Sequence, residues 1–270
     1  MQFSVLLSLY IKERPEFLRT ALQSVFSQTL RADEVVLVLD GPISDELQTV
    51  VDEFARQYSE LKVIPHPTNQ GLGKALNLGL QHCSHEIIAR MDTDDISVVD
   101  RFEKQIGYMK EHPDVAIISS AIDEFADDWH KPIQVKTLPL SHEELYKMAK
   151  FRNPINHMAA MMRRDEILRI GSYRHIPYVE DYELWVRALI NGLKIANLAD
   201  VLVHARVGNG MVKRRGTKKY IKSWHIMNKE MLSAKMINGA IYVRNMLSII
   251  GFVYMPNWVK EILYKYVLRK

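Results

Sequence analysis

From Phe3 to Met91 the chain alternates short, continuously apolar runs with segments whose apolar residues recur at helical spacing, and this alternation narrows the fold more than any composition figure. Phe3–Leu9 has the pattern of a buried strand. Residues 15–27 follow with Phe17, Leu18, Ala21, Leu22, Val25 and Phe26 on one helical face, and Pro15 fits the first turn, where its missing N–H leaves no bond unmade. Residues 34–39 form a second strand, closed by Asp40-Gly41-Pro42. Ser44 then caps a helix to about Tyr58, with Asp45 and Glu46 near its positive end. Residues 61–64, 71–82 and 86–91 repeat the order strand, helix, strand. Such β-α units predict an α/β fold, a mostly parallel sheet with helices on both faces. Ligands of such sheets bind beyond the carboxyl ends of the strands, which is where Tyr10, Asp40, Asp92, Asp94 and Asp95 fall.

Further along, residues 100–111 are expected to be helical up to His112-Pro113, and 115–119 to be a strand. Ser141-His142-Glu143-Glu144 has capping-box spacing and opens a short helix. A strand at 159–162, a short helix at 165–170 ended by Gly171, and an amphipathic helix at 182–191 closed by Gly192 complete the series.

The acidic triplet after the fourth strand carries the clearest chemistry. Carboxylates this close repel unless a cation or polar ligand compensates them, and Mg²⁺ or Mn²⁺ is usually held by one or two carboxylates together with substrate phosphates. A nucleotide-diphosphate site is the functional interpretation, and an acidic turn or helix cap is the plain one. Asn69-Gln70-Gly71-Leu72-Gly73-Lys74 opens a helix with glycines that let backbone N–H groups approach a ligand, and Lys74 can meet a phosphate. Its spacing is neither G-x-G-x-x-G nor a P-loop, so a dinucleotide fold and a Walker-type ATPase are not indicated. Glu180-Asp181 stands at a helix N-terminus ahead of Leu184-Trp185, suited to a general base or to a simple cap. His157, in the polar segment Arg152-Asn153-Pro154-Ile155-Asn156-His157-Met158, is a candidate substrate contact, and His204 a candidate further metal ligand. Arg206, Lys213, Arg214 and Arg215 surround Gly208-Asn209-Gly210, a loop able to close over a diphosphate.

Composition bears on compartment and partners. With 270 residues and 47% apolar content the chain can bury a large core or two small ones. Cys83 has no partner for an internal disulfide, and no basic, apolar leader precedes the first strand, so a cytoplasmic location is expected. Residues 211–270 hold 13 Lys/Arg against Glu230 and Glu261, a net +11; because the whole chain is +4, the other residues carry −7. A basic and apolar tail is drawn to anionic surfaces, a membrane leaflet or nucleic acid, or is a solvated helical cap. Met246 to Met255 is apolar and lies between Arg244 and Trp258, Lys260 and Lys265, too short to span a bilayer but suited to lie in its interface. The alternative is a helical hairpin around Pro256 that packs on the catalytic domain or forms a dimer contact.

Taken in order, the pieces resemble a family 2 glycosyltransferase with the GT-A, or nucleotide-diphospho-sugar transferase, fold. The likeness covers about residues 3–215 and rests on Ser4-Val5-Leu6-Leu7-Ser8-Leu9-Tyr10, Ala21-Leu22-Gln23-Ser24-Val25-Phe26-Ser27-Gln28-Thr29, Val36-Leu37-Val38-Leu39-Asp40-Gly41, Asn69-Gln70-Gly71-Leu72, Asp92-Thr93-Asp94-Asp95 and Glu180-Asp181-Tyr182-Glu183-Leu184-Trp185. The wording of Ala89 to Asp95, Arg152 to Met158 and Arg206 to Met211 is similar to the amylovoran-type branch, which builds bacterial exopolysaccharide, capsule or O-antigen. Departures are Ser8-Leu9-Tyr10-Ile11 where the family commonly has Pro-Thr-Tyr-Asn, and Leu39-Asp40 where it has paired Asp.

The resemblance implies a catalytic domain over 1–215 and a basic helical extension over 216–270. It also implies an inverting, metal-dependent transfer of a hexosyl unit from a nucleotide sugar, UDP-galactose or an N-acetylhexosamine analogue, to a lipid-linked saccharide. Asp181 would be the base, Asp94 the Mn²⁺ or Mg²⁺ ligand, and Asp92 the ribose or sugar contact. Tyr10 and Asp40 would line the base pocket, Lys74, Arg214 and Arg215 would meet the donor, and His157, Glu180 and Trp185 are acceptor or substrate candidates. The enzyme would be cytoplasmic and peripheral on the inner membrane face, with no nucleic acid partner. A sugar-1-phosphate nucleotidyltransferase would need a glycine-rich loop that Ser8 to Arg14 does not contain, and a non-catalytic binding partner would have no need of both Asp94 and Asp181.

Overall fold

A computed structural model describes residues 1–208, 216–256 and 259–260. The first four strands and three helices follow the expected order: β1 (Phe3–Leu9), α1 (Pro15–Phe26), β2 (Glu34–Asp40), α2 (Asp45–Gln57), β3 (Leu61–His66), α3 (Leu72–His82) and β4 (Ile87–Arg90). Then come β5 (Ile96–Ser97), α4 (Arg101–Glu111), β6 (Val115–Phe125), β7 (Gln134–Lys136), α5 (His142–Met148), a 3-10 turn at His157–Ala159, β8 (Met161–Arg163), α6 (Arg164–Arg169), α7 (Glu180–Ile190) and β9 (Lys194–Arg206). Two more helices follow, α8 (Lys218–Ser233) and α9 (Gly239–Tyr254). Ser44 accepts from Leu47 N, and Ser141 exchanges bonds with Glu144, so both expected caps form.

The strands make one sheet in the order β3-β2-β1-β4-β8-β6-β9-β5, with β7 hung on β6. β1, β2, β3 and β4 are mutually parallel. β8 runs against both β4 and β6, so β6 returns to the direction of β4, and β9 is parallel to β6. The carboxyl ends of β1, β2, β4, β6 and β9 therefore open on one edge.

Later strands depart from expectation. β6 continues to Phe125 although Ser119, Ser120, Asp123 and Glu124 interrupt its apolar pattern; all four are buried. β9 carries Asn197 and Asp200 and shifts register against β6, and β5 and β7 are too short for any periodic signal.

Alternation along β1 sends Val5, Leu7 and Leu9 toward α1, α2 and α4, and Leu6 toward α3 and α7. α8 joins this second core through Trp224, Met227 and Met231, the two methionines having no exposed surface. Arg174 Nη1 lies 3.1 Å from Glu183 Oε1 of α7 and 3.3 Å from Glu230 Oε1 of α8, which ties the two helices. Asn245 of α9 donates to Lys150 O and Asn228 Oδ1 at 2.8 Å each. Among the described residues no helix is long and apolar enough to cross a membrane.

Candidate active site

β4 ends in Arg90, and the turn that follows carries Asp92, Asp94 and Asp95, whose ligand atoms all lie within 4.8 Å of one another. Burial, reinforced by Asp92 and Glu13, pushes the Asp94 carboxyl up to about 7. Burial and the charges of Asp92 and Asp94 also raise Asp95 well above the usual carboxylate range. Arg90, 1% exposed, places Nη2 2.5 Å from Asp92 Oδ1, while its Nε and Nη1 have no hydrogen-bond partner among the described residues. The turn is held by its surroundings: Arg206 N donates to Asp95 Oδ1 at 2.7 Å, Arg206 Nε to Asp94 O at 3.2 Å, and Thr93 Oγ1 to Glu13 Oε2 at 2.8 Å. Arg101 fixes the preceding strand end through Arg90 O at 2.7 Å. Three carboxylates with ligand oxygens this close fit a hard divalent ion with oxygen ligands.

On the β1–β3 side, Asp40 accepts from Gln70 N at 2.7 Å and Gly71 N at 3.0 Å, and so pins the glycine-rich loop to the end of β2. Gly41 has φ +89, and a Cβ there would meet Asn69 N at 2.6 Å, so only glycine lets the two loops close. Gly73 is pressed against Arg174 O, 2.6 Å from where its Cβ would stand, and against Glu180 Cγ at 3.0 Å. Tyr10 is 37% exposed on this edge, and Lys74, in the first turn of α3, donates to Gln70 Oε1 at 2.8 Å. Gly73 thereby brings the start of α3 against the start of α7.

Asp181 is in the first turn of α7, one residue past its start. The cap position is Val179 and makes no side-chain cap bond, so Asp181 does not serve as the cap. Its Oδ2 accepts from Asn153 Nδ2 at 2.6 Å, which fixes the carboxylate. Beside it, burial and the Asp181 charge push the Glu180 carboxyl up to about 7.

Two expected substrate contacts are corrected. Trp185 is fully buried, its indole part of the core between sheet and helices, so no saccharide reaches it. His157 is 8% exposed rather than in an open loop; its Nε2 faces Tyr173 Oη at 2.9 Å, its ring lies against Trp185, and burial beside Arg90 lowers its pKa well below the ordinary value. Among the described residues His204 is not part of the group able to hold a metal, and its Nδ1 lies 2.8 Å from both oxygens of Asp123. Arg206 is committed to the acidic turn and stacks 3.6 Å from the Phe17 ring centroid and 4.5 Å from that of Phe125. Lys213, Arg214 and Arg215 lie outside the described residues.

Sequence reasoning passed over Glu13, Asn153 and Arg90. Only Arg90 had a signal, a charge inside the apolar run Ile87-Ile88-Ala89.

Comparison with known proteins agrees with this geometry. The model of Glycosyl transferase family 2 matches residues 4–171. The chain is 45% identical to the amylovoran biosynthesis glycosyltransferase AmsE of Erwinia amylovora over 97% of its own length and 98% of that protein's. It is 36% identical to the UDP-Gal:alpha-D-GlcNAc-diphosphoundecaprenol beta-1,3-galactosyltransferase of Escherichia coli, over 100% of this chain and 97% of the other. Among solved structures, S. aureus TarS 1-349 in complex with UDP-GlcNAc superposes with a TM-score of 0.71 at 18% identity, covering 99% of this chain and 77% of TarS 1-349. The GT-A architecture and the sequence kinship agree: the chain is a glycosyltransferase and belongs to family 2.

Proposed function

We propose that this glycosyltransferase is inverting and metal-dependent, and moves a hexosyl unit from UDP-galactose or an N-acetylhexosamine analogue to a lipid-linked bacterial saccharide in surface-polysaccharide synthesis. The observation that carries the proposal is the group Asp92, Asp94 and Asp95, whose ligand atoms all lie within 4.8 Å of one another at a strand-end edge that also carries the glycine-rich loop. The full-length likeness to a galactosyltransferase named for UDP-Gal and a diphosphoundecaprenol-linked GlcNAc supports the donor and acceptor classes.

Asp92, Asp94 and Asp95 would hold Mn²⁺ or Mg²⁺, whose chemistry is to offset charge on the departing diphosphate. Asp181, oriented by Asn153, takes the proton of the acceptor hydroxyl. The acceptor oxygen bonds to the anomeric carbon from the face opposite the nucleotide, the bond from that carbon to the diphosphate oxygen breaks, and the configuration inverts. Tyr10 and the loop fixed by Asp40 shape the base pocket, Lys74 lies beside the diphosphate, and Arg214 and Arg215 extend the same role. Residues 1–215 carry this chemistry, and 216–270 bring it to the lipid.

For the last point the support is a stripe on α9: Val243, Leu247, Ile250 and Tyr254, spaced four, three and four residues apart, are 53%, 64%, 38% and 66% exposed, with Arg244 beside them. This face suits the headgroup region of an anionic inner leaflet. The full chain should sediment with anionic liposomes at low salt, and Leu247→Asp with Ile250→Asp should release it. Binding that survives the double change excludes this face, and a dimer lost with the same change assigns it to a second copy.

The function is tested with a panel of nucleotide sugars and Mn²⁺, then EDTA, with the product anomer assigned by NMR. Transfer that persists in EDTA, or retention of configuration, would overturn the proposal. Calorimetry of UDP with Mn²⁺ should show no binding to Asp94→Ala.

A further inference from the structure

The carboxyl ends of β6 and β9 lie on the opposite side of β4 from the glycine-rich loop, and they carry polar and aromatic groups to which the proposed function gives no role. Asp123 and His204 are register partners on these parallel strands. With Nδ1 held 2.8 Å from both Asp123 oxygens, the imidazole is fixed and its Nε2 faces away from the carboxylate. His204 also pairs with Ile96, the neighbour of Asp95, so it stands one strand from the acidic turn. Trp129 follows β6; its indole is 37% exposed and packs on His204, ring centroids 4.9 Å apart, and on His130, 3.8 Å apart. The start of its loop is tied to the site, because Arg206 Nη1 donates to Ala126 O at 2.9 Å while the same side chain holds Asp94 O. A planar apolar ring beside an oriented hydrogen-bonding nitrogen suits a sugar, which offers a C–H face and hydroxyl groups at once.

We propose that Trp129, His204 and Asp123 form the subsite for the acceptor's sugar ring, with Trp129 covering its apolar face, His204 Nε2 bonding a hydroxyl, and Asp123 orienting the imidazole. This deepens the glycosyltransferase function proposed above and rests on it.

The test uses the full chain, UDP-galactose, Mn²⁺ and a short-chain alkyl GlcNAc-α-diphosphate as acceptor probe. Trp129→Ala and His204→Ala should each raise the acceptor KM by about tenfold or more, with Trp129→Phe recovering most of the loss. Hydrolysis of UDP-galactose by water and the Kd for UDP should stay at wild-type values in all three. Calorimetry of the acceptor probe on UDP-loaded protein gives a readout independent of turnover. Acceptor KM and Kd unchanged in both alanine variants would overturn the subsite, as would parallel loss of donor hydrolysis. A wild-type chain that binds no UDP-sugar overturns the proposed function instead, and the subsite with it.

Discussion

Glu183 on α7 and the acids after β4 are treated by the chain in opposite ways. Glu183, with no exposed surface, receives Arg187 Nε at 2.6 Å, Arg187 Nη2 at 2.9 Å and Arg174 Nη1 at 3.1 Å, while Arg187 also donates to Ile170 O and Ser172 O. In the Asp92, Asp94 and Asp95 group like charges face one another, and burial together with their repulsion drives Asp94 up to about 7. Glu183, closed by the chain's own cations, fastens the loop before Asp181. Carboxylates crowded together and partly buried cost stability until a cation compensates them.

The widest separation between the two should come from breaking the closed one. Arg187→Met leaves Glu183 buried with only Arg174 nearby, and urea unfolding should show a loss of about 3–5 kcal/mol. A loss below about 1 kcal/mol would mean the pair is as dispensable as a surface ion pair. Comparable in energy but confined to turnover is Asp181→Asn. Transfer should fall by about 10²–10⁴ while UDP affinity and melting temperature hold, because the residue is not the helix cap. Wild-type transfer by that variant would remove Asp181 from the chemistry.

A smaller effect has the reverse sign. Asp94→Asn should lose Mn²⁺-dependent donor binding yet melt about 2–4 °C higher than wild type in EDTA at pH 8, since it removes a buried carboxylate charge that Asp92 and Glu13 repel. A lower melting temperature would show the acidic group to be structural. The smallest expected effect is on pH dependence without metal. Folded Asp94 keeps its proton up to about pH 7, as does Glu180, whereas unfolded carboxyls lose theirs near 4. Between those limits the folded chain binds more protons, so stability falls as pH rises. The wild-type melting temperature in EDTA should decline from about pH 4 to 7, and Asp94→Asn should shallow the slope. Mn²⁺ should restore the loss at the alkaline end.

The same contrast explains what the sequence made legible. The β1 to β4 half is built from consecutive β-α units whose partners are close in the chain, so its apolar periods specify it directly, down to the Ser44 cap. The β6, β8 and β9 half pairs strands distant in sequence, and its long strands bury Ser119, Asp123 and Asn197, whose polarity hides the strand period. In the site, Asp92, Asp94 and Asp181 were visible because acids at strand and helix ends are conspicuous. Trp185 misled because its place beside Glu180-Asp181 in sequence says nothing about which face of α7 it occupies; it turns inward. Glu13 and Asn153 acquire meaning only through contacts with Thr93 and Asp181 that the fold creates.

The docking of α8 has a consequence for how the protein is made. Trp224, Met227 and Met231 close the apolar face shared by α3 and α7, so that face stays open on the ribosome until residues beyond 231 have left the exit tunnel. The β1 to β4 half, with its locally paired strands, can settle earlier, and the half bearing Asp181 is completed last. During synthesis the nascent chain carries a formed β1–β4 scaffold beside an open apolar face, the kind of surface that chaperones cover.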